Sequence, residues 1–118
     1  MNKTVAQELE DARESGQEVS PELQSLMQKA RKASDFLKAI AHENRLVILC
    51  LLSERERSVT ELEELLALSQ ATVSQQLARL RHEGLVETRR DGRSIYYSLA
   101  DETTRRFIQA IYDKFCRA

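Results

Sequence analysis

Three features predict a mainly α-helical fold with one small β-hairpin. Apolar residues recur at three- and four-residue spacing over long stretches after residue 20, which is the helical period. Leu, Ala, Glu, Arg and Gln dominate, and the 118 residues include only one Pro and three Gly, so long helices outweigh loops. Around residue 91 the pattern switches to alternation about an Asp91-Gly92 pair, a strong short-range hairpin signal.

Each element has its own justification. Residues 1–19 are polar and weakly periodic and are expected to form a flexible N-terminal arm, with residues 20–118 as one domain. "SPEL" opens the first helix, with Ser20 as N-cap and Pro21 at the first helical position. Leu26, Ala30, Ala33, Leu37 and Ile40 form its stripe, to about residue 41. The second helix is expected over residues 43–53, where "LVILCLL" is apolar all round and marks a buried central helix. The third is expected from Thr60, with Glu63 completing a capping box and Leu62, Leu65 and Leu66 facing inward. "ALS" is a short turn, Ser69 caps the fourth helix and Gly84 ends it. Folding about Asp91-Gly92 pairs Thr88 with Ile95 and Val86 with Tyr97, placing these four and Leu99 on one face. Asp101 caps a last helix striped by Phe107, Ile108, Ile111, Tyr112 and Phe115. The order of helices, hairpin and helix is that of a winged helix-turn-helix with an amphipathic helix at each end.

Composition narrows the function. No apolar run reaches the ~18–20 residues of a membrane span and no signal pattern opens the chain, so a cytoplasmic protein without a membrane partner is expected. Two distant cysteines are not a secreted disulfide framework. The net charge of −1 hides an uneven distribution. Residues 1–30 hold six acids against three bases, whereas residues 69–98 hold Arg79, Arg81, Arg89, Arg90 and Arg93 against three acids.

The fourth helix, "SQATVSQQLARLRHEGL", carries the sharpest signal. Val73, Leu77 and Leu80 share a narrow arc at 100° per residue, a buried seam. The opposite arc holds Ala71, Thr72, Ser74, Gln75, Ala78, Arg79 and His82 instead of the Glu and Lys of a solvated helix. Gln pairs with adenine, Arg with guanine, Ser or Thr with base or phosphate, and Ala admits the backbone to the groove. Gln70 and the free amides at the helix start suit a phosphate. An exposed helix face is the plain alternative; the basic hairpin beside it favours double-stranded DNA. Arg89, Arg90 and Arg93 on that hairpin are expected to hold phosphates or a minor groove and to position more than read. The apolar stripes of the first and last helices exceed what a small core needs. A two-fold homodimer through these terminal helices, on a pseudo-palindromic operator, is therefore expected.

These residues carry a family resemblance over roughly residues 25–116. "R-L-x-I-L-x-x-L" at 45–52, "S-V-T-E-L" at 58–62, "S-Q-x-x-V-S-Q" at 69–75 and "G-L-V…R-x-G-R-x-x-Y-Y-S-L" at 84–99 resemble the ArsR/SmtB family of small dimeric bacterial repressors. Many relatives carry His at the position of Gln76. The resemblance implies a repressor, not an enzyme, that an inducer releases from DNA.

The inducer is the open question. Family metal sites use Cys-x-Cys near the third helix, or Asp and His on the last. Here these regions read "VTELEELLALS" and "DETTRRFIQAIYDKFC", and the only histidines are His42, a helix-junction residue, and His82, on the DNA-side arc. Zinc and soft metals want several such ligands together, so no metal and no cofactor is expected. Cys50 lies in the apolar "VILCLL" and Cys116 beside Arg117. By themselves the residues leave open both plain packing and a paired redox role. One branch of the family resembles this chain in having a Cys in the second helix and another at the end of the last. That resemblance implies a sensor of persulfides and related reactive sulfur, in which Cys50 and Cys116 join through a di- or polysulfide. General thiol oxidants or metals as the signal, a thiol-exchange enzyme and a protein-interaction module are the alternatives. The absence of Cys-x-x-Cys argues against the enzyme.

Overall fold

The computed structural model describes residues 3–16 and 20–116. It divides into two compact units, residues 1–35 and residues 36–118. The element order is α1 (Val5–Glu14), α2 (Pro21–Ile40), α3 (Glu43–Glu54), β1 (Arg57–Ser58), α4 (Val59–Leu66), α5 (Gln70–His82), β2 (Val86–Asp91), β3 (Ser94–Leu99) and α6 (Glu102–Phe115). No described helix is long and apolar enough to cross a membrane.

The first unit holds α1 and most of α2. Helix α1 stands where the sequence reading placed only an arm. Its start is a capping box: the Gln7 amide donates to Thr4 Oγ1 at 3.1 Å, and the Thr4 amide to Gln7 Oε1 at 3.0 Å. At the start of α2 the Leu23 amide donates to Ser20 Oγ at 3.0 Å, the expected cap.

The second unit is a mainly helical winged helix-turn-helix with a β-hairpin wing. Its core gathers Ile48, Leu49 and Leu52 of α3, Leu62 of α4, Val73, Leu77 and Leu80 of α5, Leu85, Val86 and Leu99 of the hairpin and Ile108 of α6. The expected α3 is therefore central, although Val47 of its "LVILCLL" run faces outward. His42 sits at the α2–α3 junction and caps α3, its Nδ1 accepting from the Asn44 amide at 3.2 Å. Helix α4 begins one residue before Thr60. Its cap is Ser58, whose hydroxyl accepts from the Glu61 amide at 3.1 Å, in place of the Thr60–Glu63 box. The reason is tertiary: Arg57 and Ser58 pair with Tyr97 and Tyr96 as strand β1, which delivers Ser58 to the cap. The three strands lie in the order β1-β3-β2. The turn between α4 and α5 passes through Ala67 in the left-handed region (φ 53°, ψ 41°).

The hairpin register differs by two residues from the sequence reading. Val86 pairs with Leu99, Thr88 with Tyr97, Arg89 with Tyr96, Arg90 with Ile95 and Asp91 with Ser94. The two-residue turn is thus Gly92-Arg93, with Asp91 in the strand. Gly92 takes φ +62° at the first turn position, as a type II′ turn requires. A slip of two preserves the faces, so Val86, Thr88, Ile95, Tyr97 and Leu99 remain together. What changes is the tip, now occupied by Arg93.

Candidate nucleic-acid interface and thiol pair

Helix α5 is set by its cap and its seam. The Thr72 amide donates to Ser69 Oγ at 3.2 Å, and the Ser69 and Thr72 hydroxyls bond at 2.9 Å. Val73, Leu77 and Leu80 are fully buried, which leaves Gln70, Ala71, Ser74, Gln75, Ala78, Arg79 and His82 exposed. Thr72 is half-buried and serves the cap. Gln76 is also half-buried, because Arg45 of α3 takes its side chain, with Nη1 donating to Gln76 Oε1 at 3.0 Å. The same guanidinium donates from Nε to the Ala39 carbonyl at 2.5 Å and from Nη2 to the Lys38 carbonyl at 3.3 Å. These carbonyls belong to the last turn of α2, where orphan acceptors and the helix dipole both favour a cation. Burial, then the charge of Arg79, lowers the Arg45 pKa from its usual value.

The wing's three arginines are not equivalent. Arg93 occupies the turn and Arg90 the strand opposite Ile95. Among the described residues neither has an ion-pair partner. Arg89, by contrast, is held by Glu56 through Nε–Oε2 at 3.1 Å and Nη2–Oε1 at 2.6 Å, with its guanidinium 4.7 Å from the Tyr96 ring centroid. The Glu56 hydrogen bond raises the Arg89 pKa, and the same bond holds the Glu56 carboxyl below its usual range. A cleft of about 260 Å³ separates the wing from the starts of α4 and α5, lined by Ser58, Thr60, Gln70, Ser74, Arg93 and Tyr97 among others. Its hydroxyls, the Gln70 amide and the Arg93 guanidinium are donors that a phosphate backbone takes, and Glu63 is the one carboxylate among the lining residues. Sequence reasoning missed Arg45, Glu56 and Thr60. The alternating "ERER" at residues 54–57 was the visible trace of Glu56.

The thiols lie on two packed helices. Cys50 is half-buried on α3; Cys116 is exposed at the end of α6, its amide donating to the Tyr112 carbonyl at 2.8 Å. Both are free thiols. Arg105 of α6 donates to the Ser53 carbonyl of α3, fastening the two helices one turn from Cys50. Burial pushes the Cys50 thiol pKa up, and the negative charges of Cys116 and Glu54 add to it. A cavity of about 250 Å³ opens beside Cys50, bounded by Ser53, Glu54, Gln109, Tyr112 and Asp113. Among the described residues, no group of three or more His, Cys, Asp and Glu gathers as a metal site would.

Comparison with known proteins places this arrangement. Residues 42–88 match the family described as "Bacterial regulatory protein, arsR family". The chain is 43% identical to the biofilm growth-associated repressor of Agrobacterium fabrum over 80% of either chain. It is 42% identical to the transcriptional activator HlyU of Vibrio cholerae, over 81% of this chain and 89% of that one. The solved structure of reduced HlyU from Vibrio cholerae superposes with a TM-score of 0.75 at 41% identity, covering 80% of this chain and all of the other. With helix-turn-helix, wing and these relatives in agreement, the chain belongs to the ArsR family of bacterial regulatory proteins and is a DNA-binding transcriptional regulator, not an enzyme.

Proposed function

We propose that this regulator is a homodimeric repressor, acting in the cytoplasm, that leaves its operator when reactive sulfur links Cys50 to Cys116. The observation that carries the reading is the placement of the chain's two thiols on the packed helices α3 and α6, with a cavity beside the half-buried Cys50. Exposed Val47, Phe107, Tyr112 and Phe115, the last 72% accessible, support a two-fold partner along α6. On DNA, Gln70 and the cleft hold phosphate, while Ala71, Ser74, Gln75 and Arg79 face base edges. Thr72 contributes through the helix start, and Arg90 and Arg93 take backbone phosphates.

Cys116 as thiolate takes the outer sulfur of a persulfide R–S–SH, releasing R–SH and leaving Cys116–S–SH. A second transfer extends this to Cys116–S–S–SH. Cys50, deprotonated, attacks the middle sulfur and hydrosulfide leaves. Two thiols and two persulfides become one trisulfide bridge, two R–SH and one hydrogen sulfide. A plain disulfide needs Cα atoms within about 7 Å, whereas the inserted sulfur lengthens the reach and gives selectivity for sulfur donors. The bridge ties α3 to α6, and α6 carries the proposed dimer face. Favouring the released state by about 2.8 kcal/mol lowers operator occupancy ~100-fold.

A second reading, release by general oxidants, draws on the exposure of Cys116 and on a relative whose structure is that of a reduced form. Intact mass after treatment with glutathione persulfide, with peroxide and zinc as controls, separates the two. Gain of sulfur with loss of two hydrogens, mapped to Cys50–Cys116 and absent with peroxide, supports the persulfide sensor. An equal response to peroxide supports the second reading, and an unchanged mass rejects both.

A further inference from the structure

The Glu56–Arg89 pair has a geometry and a position that DNA binding alone does not explain. We propose that Glu56 is an internal stand-in for DNA phosphate, occupying Arg89 and thereby setting how tightly the wing grips DNA. The contact uses Nε and Nη2 on two carboxylate oxygens, the same parallel fork with which arginine takes a phosphate. It is not a chance meeting of two loose side chains. Glu56 precedes Arg57, which is anchored by its Nε to the Leu51 carbonyl at 3.1 Å, by ion pairs to Glu54 and Glu61, and by pairing with Tyr97. Arg89 is steadied further by the Tyr96 ring, and its Nη1 lies 3.9 Å from Asp91 Oδ2, a longer and weaker contact than the fork with Glu56.

The pair still faces solvent, with side-chain exposures of 53% for Arg89 and 35% for Glu56, so a phosphate can compete for the fork. Of the wing's three arginines, two are thus free to bind phosphate and one is neutralised in advance. When Arg89 exchanges carboxylate for phosphate, one ion pair replaces another and a bare carboxylate is left beside the duplex. The gain from the third arginine is largely cancelled. Glu56 also lies six residues beyond Cys50, just past the end of α3, so the clasp joins the thiol-bearing helix to the wing.

The inference rests on the wing reaching phosphate, and the experiment tests the two separately. A duplex is selected from a random pool by the parent protein, and its affinity is measured by fluorescence anisotropy across a salt series. Glu56→Gln is expected to bind roughly two- to fivefold tighter, the range of an exposed ion pair. The slope of log K against log salt steepens by about 0.9, one further phosphate contact. Arg89→Ala added to Glu56→Gln cancels both changes, and Arg89→Ala alone moves the slope little. Glu56→Ala provides a second variant should the amide form new hydrogen bonds. If Arg90→Ala and Arg93→Ala leave the slope unchanged, the wing does not hold phosphate and the premise fails. If those two flatten the slope but Glu56→Gln weakens binding or changes nothing, Glu56 orients Arg89 or is inert, and the proposal is overturned.

Discussion

Removal of the Arg45 guanidinium should loosen the recognition helix without removing a phosphate contact. Arg45 donates to three acceptors: the Ala39 carbonyl at 2.5 Å, Gln76 Oε1 at 3.0 Å and the Lys38 carbonyl at 3.3 Å. Hydrogen bonds with one charged member contribute about 1.5–3 kcal/mol when well shielded. Here the third bond is exposed and long, and water can replace much of the other two. Loss of the like charge near Arg79 also offsets part of the damage. Arg45→Ala is therefore expected to cost about 2–3 kcal/mol and Gln76→Ala about 1 kcal/mol. The coupling in the double variant should be about 1 kcal/mol, read from urea midpoints with an unchanged m-value. DNA affinity should fall for Arg45→Ala while its salt dependence stays that of the parent, because the residue acts through α5. A coupling energy below about 0.3 kcal/mol would refute the strut. So would a salt slope flattened by about 0.9, which would place Arg45 on the DNA backbone.

Four further outcomes are expected. Leu77→Ala, at a fully buried position of α5, should cost about 3 kcal/mol by the same urea assay, and a cost under 1 kcal/mol would mean that the seam is not packed as described. Ala67→Gly should raise stability by about 0.5–1 kcal/mol, because Ala67 holds a left-handed φ of 53° that glycine adopts freely; a loss of stability counts against that turn. Gly92→Ala should destabilise by about 1 kcal/mol from the positive φ alone, since no atom lies within 4 Å of the added Cβ, and Gly92→Asn should recover part of it. Burial and the charges of Cys116 and Glu54 raise the Cys50 pKa, so its thiolate fraction at neutral pH lies below that of a free thiol. Bridge closure followed by mass should then accelerate as pH rises and continue to do so past the point where a free cysteine levels off. A plateau at or below that point argues against Cys50 as the closing nucleophile.

Local chemistry made much of the fold legible. Ser20, Ser69 and Asp101 act as caps where their sequence neighbourhoods placed them, because a cap needs only a short polar side chain and an amide three residues on. Val73, Leu77 and Leu80 are buried as their spacing requires, since one helical period fixes which side faces the core. Helix α1 was legible too, in Thr4-x-x-Gln7, but the short polar segment around it masked the signal. The hairpin shows the limit of such reasoning. Its alternation assigned the faces correctly, yet a register differing by two residues has the same alternation.

What the sequence determined by itself is whatever depends on neighbours within four residues: the helices after residue 20, the caps Ser20, Ser69 and Asp101, the buried seam of α5 and the polar face opposite it. Tertiary structure alone decided the partners. Glu56 meets Arg89 across 33 residues, Arg45 meets Gln76 across 31, and Arg105 reaches Ser53 across 52. Strand β1, two residues long, exists only because β3 offers it a ladder, and through that ladder Ser58 becomes the cap of α4. A guanidinium or carboxylate satisfies its fork with whichever acceptor or donor the packed core brings within about 3 Å, and no local pattern encodes that distance.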